Sequence, residues 1–167
     1  MGSDFDHFFR TNYDAMVRSL TLMCGDAELA AECAQDAFTR AYARWRRISR
    51  YDVPAAWVRR VAINRVRDQV RSEQRRRARE DKAARRDETR WHDDHPAVAD
   101  DRLARALSSL PDRQRTAIAL HYVEGLSVHE VALVMKVSEG AVKYHLHEGR
   151  KKLEPLLDPR ATEGVEP

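Results

Sequence analysis

Residues 126–146 constrain the fold of this chain more than any other segment, because they have the pattern of two short helices joined by a tight turn. Ser127 and Glu130 have the spacing of a capping box, which predicts that a helix begins there. Ser138 is a suitable N-cap for a second helix, whose apolar residues recur at four-residue spacing. The pattern predicts a helix-turn-helix, and the second helix of this motif commonly lies in the major groove of double-stranded DNA.

Composition excludes several classes of protein. The chain has 167 residues, 34% of them charged, and a mean hydropathy of -0.69. No apolar run approaches the roughly 18 residues of a membrane helix, and the N-terminus lacks the pattern of a signal peptide, so we expect a cytoplasmic protein with no membrane segment. Cys24 and Cys33 are too few for a disulfide framework. We expect two buried thiols, no metal site and no cofactor.

Helical periodicity runs through nearly the whole chain. We predict a first helix over about residues 4–23, a second after Asp26, and a third from Pro54 that buries apolar residues up to Val70. Residues 72–98 contain almost no large apolar side chain and cannot bury a core. A solvated helix that continues for some turns before the linker begins is compatible with this segment. Arginine is in excess from Arg59 to Arg90, which favours a polyanionic partner.

The predicted fold class is therefore all-α, with two small helical domains joined by a flexible linker. We expect the first domain at residues 1–72 and the linker at 73–98. The second domain, which contains the helix-turn-helix, is expected at 99–157, and a tail at 158–167.

Three segments, in this order, resemble the extracytoplasmic-function (ECF) group of bacterial RNA polymerase sigma factors. Residues 31–42 contain an acidic residue, then Gln-Asp, then an aromatic, as in region 2.2 of that family. Residues 56–68 contain Trp, then Ala-x-Asn, then Asp before an arginine run, which is similar to regions 2.3 and 2.4. Residues 110–115 lead into the helix-turn-helix and resemble region 4.

The resemblance implies a region 2 bundle of three or four helices and a region 4 helix-turn-helix domain. It implies a protein that binds core RNA polymerase through the β′ coiled coil and the β flap, directs it to promoter DNA, and catalyses nothing itself. It also implies an anti-sigma partner. Acidic residues within 87–101 would then pass through the polymerase channel that RNA later occupies.

The resemblance also assigns candidate site residues. For the −10 element they are Ser49, Arg50, Tyr51, Arg60, Asn64, Arg65, Arg67, Asp68 and Arg71. For the −35 element they are Ser127, Ser138, Glu139, Lys143, Tyr144, His147, Arg150 and Lys151. For polymerase binding they are Glu32, Gln35, Asp36 and Arg40. Residues 46–51 are expected to form a basic loop that captures a base of the −10 strand.

Two positions depart from the family pattern. Lys136 lies in the turn where glycine is usual, and a lysine with positive φ there costs of order 1 kcal/mol. Gly149 replaces a usual alanine and is expected to weaken its helix by about 1 kcal/mol.

Two other functions compete with this interpretation. A stand-alone helix-turn-helix regulator would bind duplex DNA without polymerase, but it would not need the segments at 31–42 and 56–68. A metalloenzyme would need a histidine cluster, and His145 and His147 are two residues apart and therefore point to different sides of a helix.

Overall fold

The computed structural model describes residues 2–84 and 101–157. These residues form eight α-helices and one π-helical turn between α6 and α7. They are α1 (Gly2–Cys24), α2 (Ala27–Ala43), α3 (Trp45–Ile48), α4 (Pro54–Ala84), α5 (Asp101–Ser108), α6 (Asp112–Ile118), the π-helical turn (Ala119–Val123), α7 (Val128–Met135) and α8 (Glu139–Leu157). No strand occurs in the described ranges, so the all-α prediction is confirmed. The remaining linker residues 85–98 and the tail 158–167 lie outside these ranges.

The N-terminal unit, α1 to α4, is a helical bundle in which α1, α2 and α4 pack against one another. Asp26 caps α2 as predicted, since its carboxylate accepts hydrogen bonds from the amides of Glu28 (2.9 Å) and Leu29 (3.0 Å). One end of the bundle is filled by aromatic rings, among them Phe8 and Trp45 with ring centroids 4.8 Å apart. The bundle fixes the directions in which α3 and α4 present their polar side chains.

Helix α4 is longer than its apolar pattern predicts and continues to Ala84, into the expected linker. Ion pairs along the helix account for the extension. Arg76 contacts Glu73 (2.6 Å) and Glu80 (2.8 Å), one turn away on either side. Hydrogen bonds from Arg76 and Arg77 lower the pKa of Glu73 to about 2. The part of α4 beyond Val70 is thus stabilised by local charge pairs and not by burial.

The C-terminal unit, α5 to α8, has the predicted helix-turn-helix in α7 and α8. Ser127 and Glu130 form the complete capping box at the start of α7. Lys136 ends α7 with φ 55° and ψ 48°, which confirms the expected left-handed turn. The Oγ of Ser138 accepts a hydrogen bond from the amide of Ala141 (3.1 Å) at the start of α8.

Two local expectations need correction. Residues 46–51 are not entirely a loop, because Arg46, Arg47 and Ile48 belong to α3, where buried Trp45 and Ile48 hold the turn against the bundle. Cys24 is only half-buried, whereas Cys33 is buried as expected; burial raises the pKa of the Cys33 thiol to about 11.

No helix in the described part of the chain is long and apolar enough to cross a membrane.

Candidate nucleic-acid interfaces

The N-terminal half of α8 presents a polar, exposed face. Lys143 is exposed, and 59% of Tyr144 is accessible to solvent. Val142 and Leu146 lie on the opposite face and are buried, so the helix is oriented by its apolar side. Glu139 lies at the start of this face, with its Oε1 2.9 Å from Nδ1 of His129 on α7. This exposed face carries Glu139, Lys143 and Tyr144, three of the candidates for the −35 element.

The N-caps of the two helices also lie on the surface. Ser127 is exposed, but its Oγ already accepts the hydrogen bond from the amide of Glu130 (3.1 Å). Ser138 is likewise exposed and bonded to its own helix. Both side chains therefore help to order the helix starts, where free amides attract phosphate.

The remaining −35 candidates lie further along α8, beside an apolar groove. His147, Arg150 and Lys151 are exposed and line a groove of about 710 Å³ between α5, the π-helical turn and α8. Nη1 of Arg150 donates a hydrogen bond to Oη of Tyr122 (3.1 Å). These three side chains thus form a second group on the same face as Lys143, since His147 and Arg150 lie four and seven residues further along the helix.

His145, between the two groups, is half-buried. Burial lowers its pKa from the ordinary value, and nearby Arg113 acts in the same direction. Within the described ranges, no group of three or more His, Cys, Asp or Glu side chains is placed to hold a metal ion.

The turn between α3 and α4 presents Ser49, Arg50 and Tyr51 at the surface. Arg50 and Ser49 are exposed, and 36% of Tyr51 is accessible. A cation beside an exposed aromatic ring is a combination that can hold the backbone and stack a base of a single strand.

The −10 candidates on α4 divide between two sides of the helix. Arg60, Asn64 and Arg67 line a cleft between α4 and α7, and Arg71 lies further along the same side, near Asp112. Arg65 instead lies toward α2, with its Nε 3.8 Å from the carboxylate of Asp36. Asp68, one turn further along α4, is exposed.

The candidates for polymerase binding lie on the outer face of α2. Glu32, Gln35 and Arg40 are exposed, and Asp36 is half-buried. Arg40 pairs with Asp36 at 3.1 Å across one helical turn. The Asp36 carboxylate therefore lies between Arg40 and Arg65, which joins this face to α4.

Four polar residues that the sequence analysis did not select connect the two helical units. Glu124, next to the π-helical turn, accepts hydrogen bonds from Nε of Arg59 and Oγ of Ser19, each at 2.5 Å. Arg115 donates to the carbonyl of Met23 at 2.9 Å. Of these four residues, only Ser19 could have been recognised from the sequence. It lies on the apolar stripe of α1, and a hydroxyl that is buried there needs a hydrogen-bond partner.

Arg115 has a second role inside its own unit. Its guanidinium also donates to the carbonyls of Leu107 (2.9 Å), Ser108 (3.0 Å) and Leu110 (2.9 Å) at the end of α5. One side chain thus binds three carbonyls at and just after the end of α5 and contacts α1 as well.

Comparisons with known proteins agree with this architecture. Residues 8–76 match the family model of Sigma-70 region 2, and residues 100–153 match that of Sigma-70 region 4. The RNA polymerase sigma-E factor of Streptomyces avermitilis is 31% identical over 165 residues, which cover 94% of this chain and 87% of that protein. The ECF RNA polymerase sigma factor SigM of Mycobacterium tuberculosis is 30% identical over 156 residues, which cover 92% and 76%.

Two solved structures share the fold. The sigma factor RpoE from Bartonella quintana, in complex with the anti-sigma factor NepR, superposes with a TM-score of 0.69 at 23% identity and covers 92% of this chain and 96% of that one. CnrH, in complex with the cytosolic domain of CnrY, has a TM-score of 0.65 at 23% identity and covers 95% and 90%.

The match to region 2 disfavours a stand-alone helix-turn-helix regulator, which has no need of that domain. With both regions matched in order, and with relatives aligned over most of its length, the chain belongs to the Sigma-70 family and is an RNA polymerase sigma factor of the ECF group.

Proposed function

We propose that this sigma factor brings core RNA polymerase to promoters by reading the −35 element with α8 and holding the −10 strand with α4 and the α3–α4 turn. The exposed N-terminal half of α8, held in place by a capped helix-turn-helix, is the observation that carries this proposal. Lys143 and Tyr144 are its exposed side chains, and Glu139 begins the same face. Lysine contacts phosphates or guanine, and a carboxylate accepts from cytosine N4.

The −10 strand would be held where cations meet an aromatic ring. Arg50 and Tyr51 in the α3–α4 turn provide a cation and an aromatic ring, and Arg60, Asn64 and Arg67 provide cationic and amide groups on one side of α4. Such groups bind the backbone of a single strand and an unstacked base. Asp68 and Arg71 would extend this surface along α4, and Arg65 would contact the strand from the side of the helix that faces α2.

The C-terminal part of the −35 surface would contact the DNA backbone. His147, Arg150 and Lys151 lie further from the start of α8 than Lys143 does, as expected for side chains that approach phosphates rather than base edges. Ser127 and Ser138 would place the two helix N-termini toward phosphates.

Core polymerase would be bound through Glu32, Gln35, Asp36 and Arg40 on α2, against the β′ coiled coil, and through region 4, against the β flap. RNA synthesis itself would remain with core enzyme, so this chain would catalyse nothing, and it would act in the cytoplasm. The domain limits that we propose are 1–72, 73–98 and 99–157. The anti-sigma factor NepR, bound to the structural neighbour RpoE, supports an inhibitor of this kind here.

Transcription in vitro tests the −35 assignment. Core polymerase with this protein is assayed on a promoter library, and Lys143→Ala is compared with Lys152→Ala, an exposed lysine on the same helix outside the proposed surface. Lys143→Ala should lower initiation or change the preferred −35 sequence, at a cost of about 1–3 kcal/mol if a base contact is lost. Equal behaviour of the two variants would refute the assignment.

The −10 assignment is tested on the same promoters with Arg50→Ala and, as control, Arg75→Ala, which is exposed on α4 beyond the proposed surface. Arg50→Ala should reduce initiation on duplex templates, and initiation by this variant should recover on templates that are melted in advance. An equal loss on both templates would place Arg50 outside strand opening.

A further inference from the structure

The starts of the two helices of the helix-turn-helix are joined by a hydrogen bond between side chains. Nδ1 of His129, in the first turn of α7, lies 2.9 Å from Oε1 of Glu139, the first residue of α8. An ionised carboxylate only accepts hydrogen bonds, so Nδ1 carries the proton and donates, whether the ring is neutral or cationic. The bond therefore holds the Glu139 carboxylate between the two helix starts.

The backbone on both sides of this pair is ordered by local contacts. The hydroxyls of Ser127 and Ser138 accept hydrogen bonds from the first turns of α7 and α8. The left-handed residue Lys136 ends α7 and sets the path of the chain into α8. The hydrogen bond from His129 to Glu139 thus spans two capped helix starts.

Glu139 has a second possible partner that it does not use. Lys143 follows four residues later on α8, and a glutamate four residues before a lysine is the favourable order for an ion pair on one helix. Within the described ranges, however, Lys143 has no carboxylate partner, and the Glu139 carboxylate is bound by His129. The exposed face of α8 therefore presents an acceptor and a cation that are not paired with each other.

A carboxylate at this position is unfavourable for DNA binding unless it contacts a base. The free amides at a helix start do stabilise Glu139, but they require no partner on α7. The phosphates of bound DNA would repel its charge, whereas the exposed amino group N4 of cytosine would donate to it in the major groove. Pairing with Lys143 would neutralise the carboxylate and turn the lysine away from the DNA.

We propose that His129 is a positioning residue for the −35 element. It binds Oε1 of Glu139 and holds the carboxylate away from Lys143. Oε2 then accepts from cytosine N4, while the lysine remains free to donate to a phosphate or to guanine. The pair thus selects a cytosine at one position of the −35 element. The inference rests on the proposed function, since it concerns the −35 surface assigned there, and it adds a residue outside that set.

Transcription of a −35 promoter library by core polymerase with the full-length protein tests the positioning. Glu139→Ala should lower the preference for cytosine at one position about tenfold, as expected for one lost base contact. His129→Ala should lower the preference at that same position severalfold. His129→Asn, whose amide nitrogen replaces Nδ1 as the donor, should retain it. His7→Ala, at an exposed position of α1, is the control and should select the same −35 sequences as the wild type.

A double variant distinguishes positioning from an independent contact. If His129 acts through Glu139, adding His129→Ala to Glu139→Ala should change the preference no further. If His129→Ala instead lowers initiation equally on every −35 sequence, the histidine contacts a phosphate or has a structural role, and the inference is overturned. A wild-type preference in His129→Ala overturns it as well.

Urea unfolding shows whether His129 has a structural role. The side chains of His129 and Glu139 are 67% and 51% exposed, and ion pairs in such positions add little to stability. His129→Ala should therefore unfold at nearly the same urea concentration as the wild type while its base preference changes. A large fall in the unfolding midpoint would make the role structural and overturn the inference.

The proposed function fails under different results. If Lys143→Ala and Glu139→Ala both leave the −35 preference unchanged, α8 does not read this element, and the positioning of Glu139 fails with it. If Lys143→Ala changes the preference and Glu139→Ala does not, α8 reads the element, and the inference about His129 alone is overturned.

Discussion

Replacing Gly149 with alanine should destabilise the C-terminal unit, although alanine is the better helix former. A Cβ at this position would lie 2.9 Å from Cγ1 and 3.2 Å from Cδ1 of Ile118 on α6, and 3.7 Å from Cβ of Gln114. Ile118 is 5% exposed and branched at Cβ, so its Cγ1 can move only if the side chain leaves its preferred χ1 rotamer or the backbone shifts. The glycine lets α8 approach α6 closely.

Two opposed contributions decide the sign. Helix propensity favours alanine by about 1 kcal/mol. Overpacking a filled interior costs about 1–3 kcal/mol. Because the contact involves a carbon near the backbone of Ile118, we expect the packing contribution to be larger and the free energy of unfolding to fall by about 1 kcal/mol.

Gly140→Ala is the matched control on the same helix. Its Cβ would meet only Oγ of Ser138 at 3.8 Å, so the variant should be more stable by about 0.5–1 kcal/mol. Urea unfolding followed by far-ultraviolet circular dichroism gives both free energies. If Gly149→Ala is as stabilising as Gly140→Ala, close packing of α8 on α6 is not what requires the glycine.

The start and end of α7 provide three further predictions. Lys136→Gly should raise the free energy of unfolding by about 1 kcal/mol by relieving the left-handed backbone, whereas Lys136→Ala should not; equal effects would implicate charge instead. Ser127→Ala should lower it by about 1 kcal/mol, since the amide of Glu130 loses its acceptor, and an unchanged unfolding midpoint would contradict this. Hydrogen bonds from the Ser127 amide and hydroxyl lower the pKa of Glu130 from its ordinary value of 4.5. The stability that the ionised Glu130 contributes to the folded protein is therefore complete above a pH equal to the ordinary pKa, and it is lost as the pH falls through the lowered pKa of the folded state. Unfolding titrations in acid should show this loss and show less of it in Glu130→Gln.

Local signals made the helix-turn-helix predictable. A capping box, a residue in the left-handed region and apolar spacing all depend on neighbours in sequence, and the structure has Ser127, Lys136 and Val142 as expected. The continuation of α4 beyond Val70 as a solvated helix was one of two possibilities that the sequence left open, because its ion pairs stabilise a helix that has no apolar side. Spacing cannot distinguish such a helix from a solvated linker.

Contacts between distant segments were not predictable in the same way. Gly149 was interpreted through helix propensity alone, and only its distance from Ile118 shows why a small residue fits there. Glu124 and Arg59 are 65 positions apart, and each resembles an ordinary surface charge in sequence. Their pairing depends on how two helical units meet, which no local pattern encodes.

Mapping the 5′ ends of transcripts made by purified core RNA polymerase, with and without this protein, tests the account most directly. We predict a new set of start sites that appears only when the protein is added and that lies at a fixed distance downstream of shared −35 and −10 sequences. Identical start sites with and without the protein, together with no association between it and core enzyme, would contradict the account.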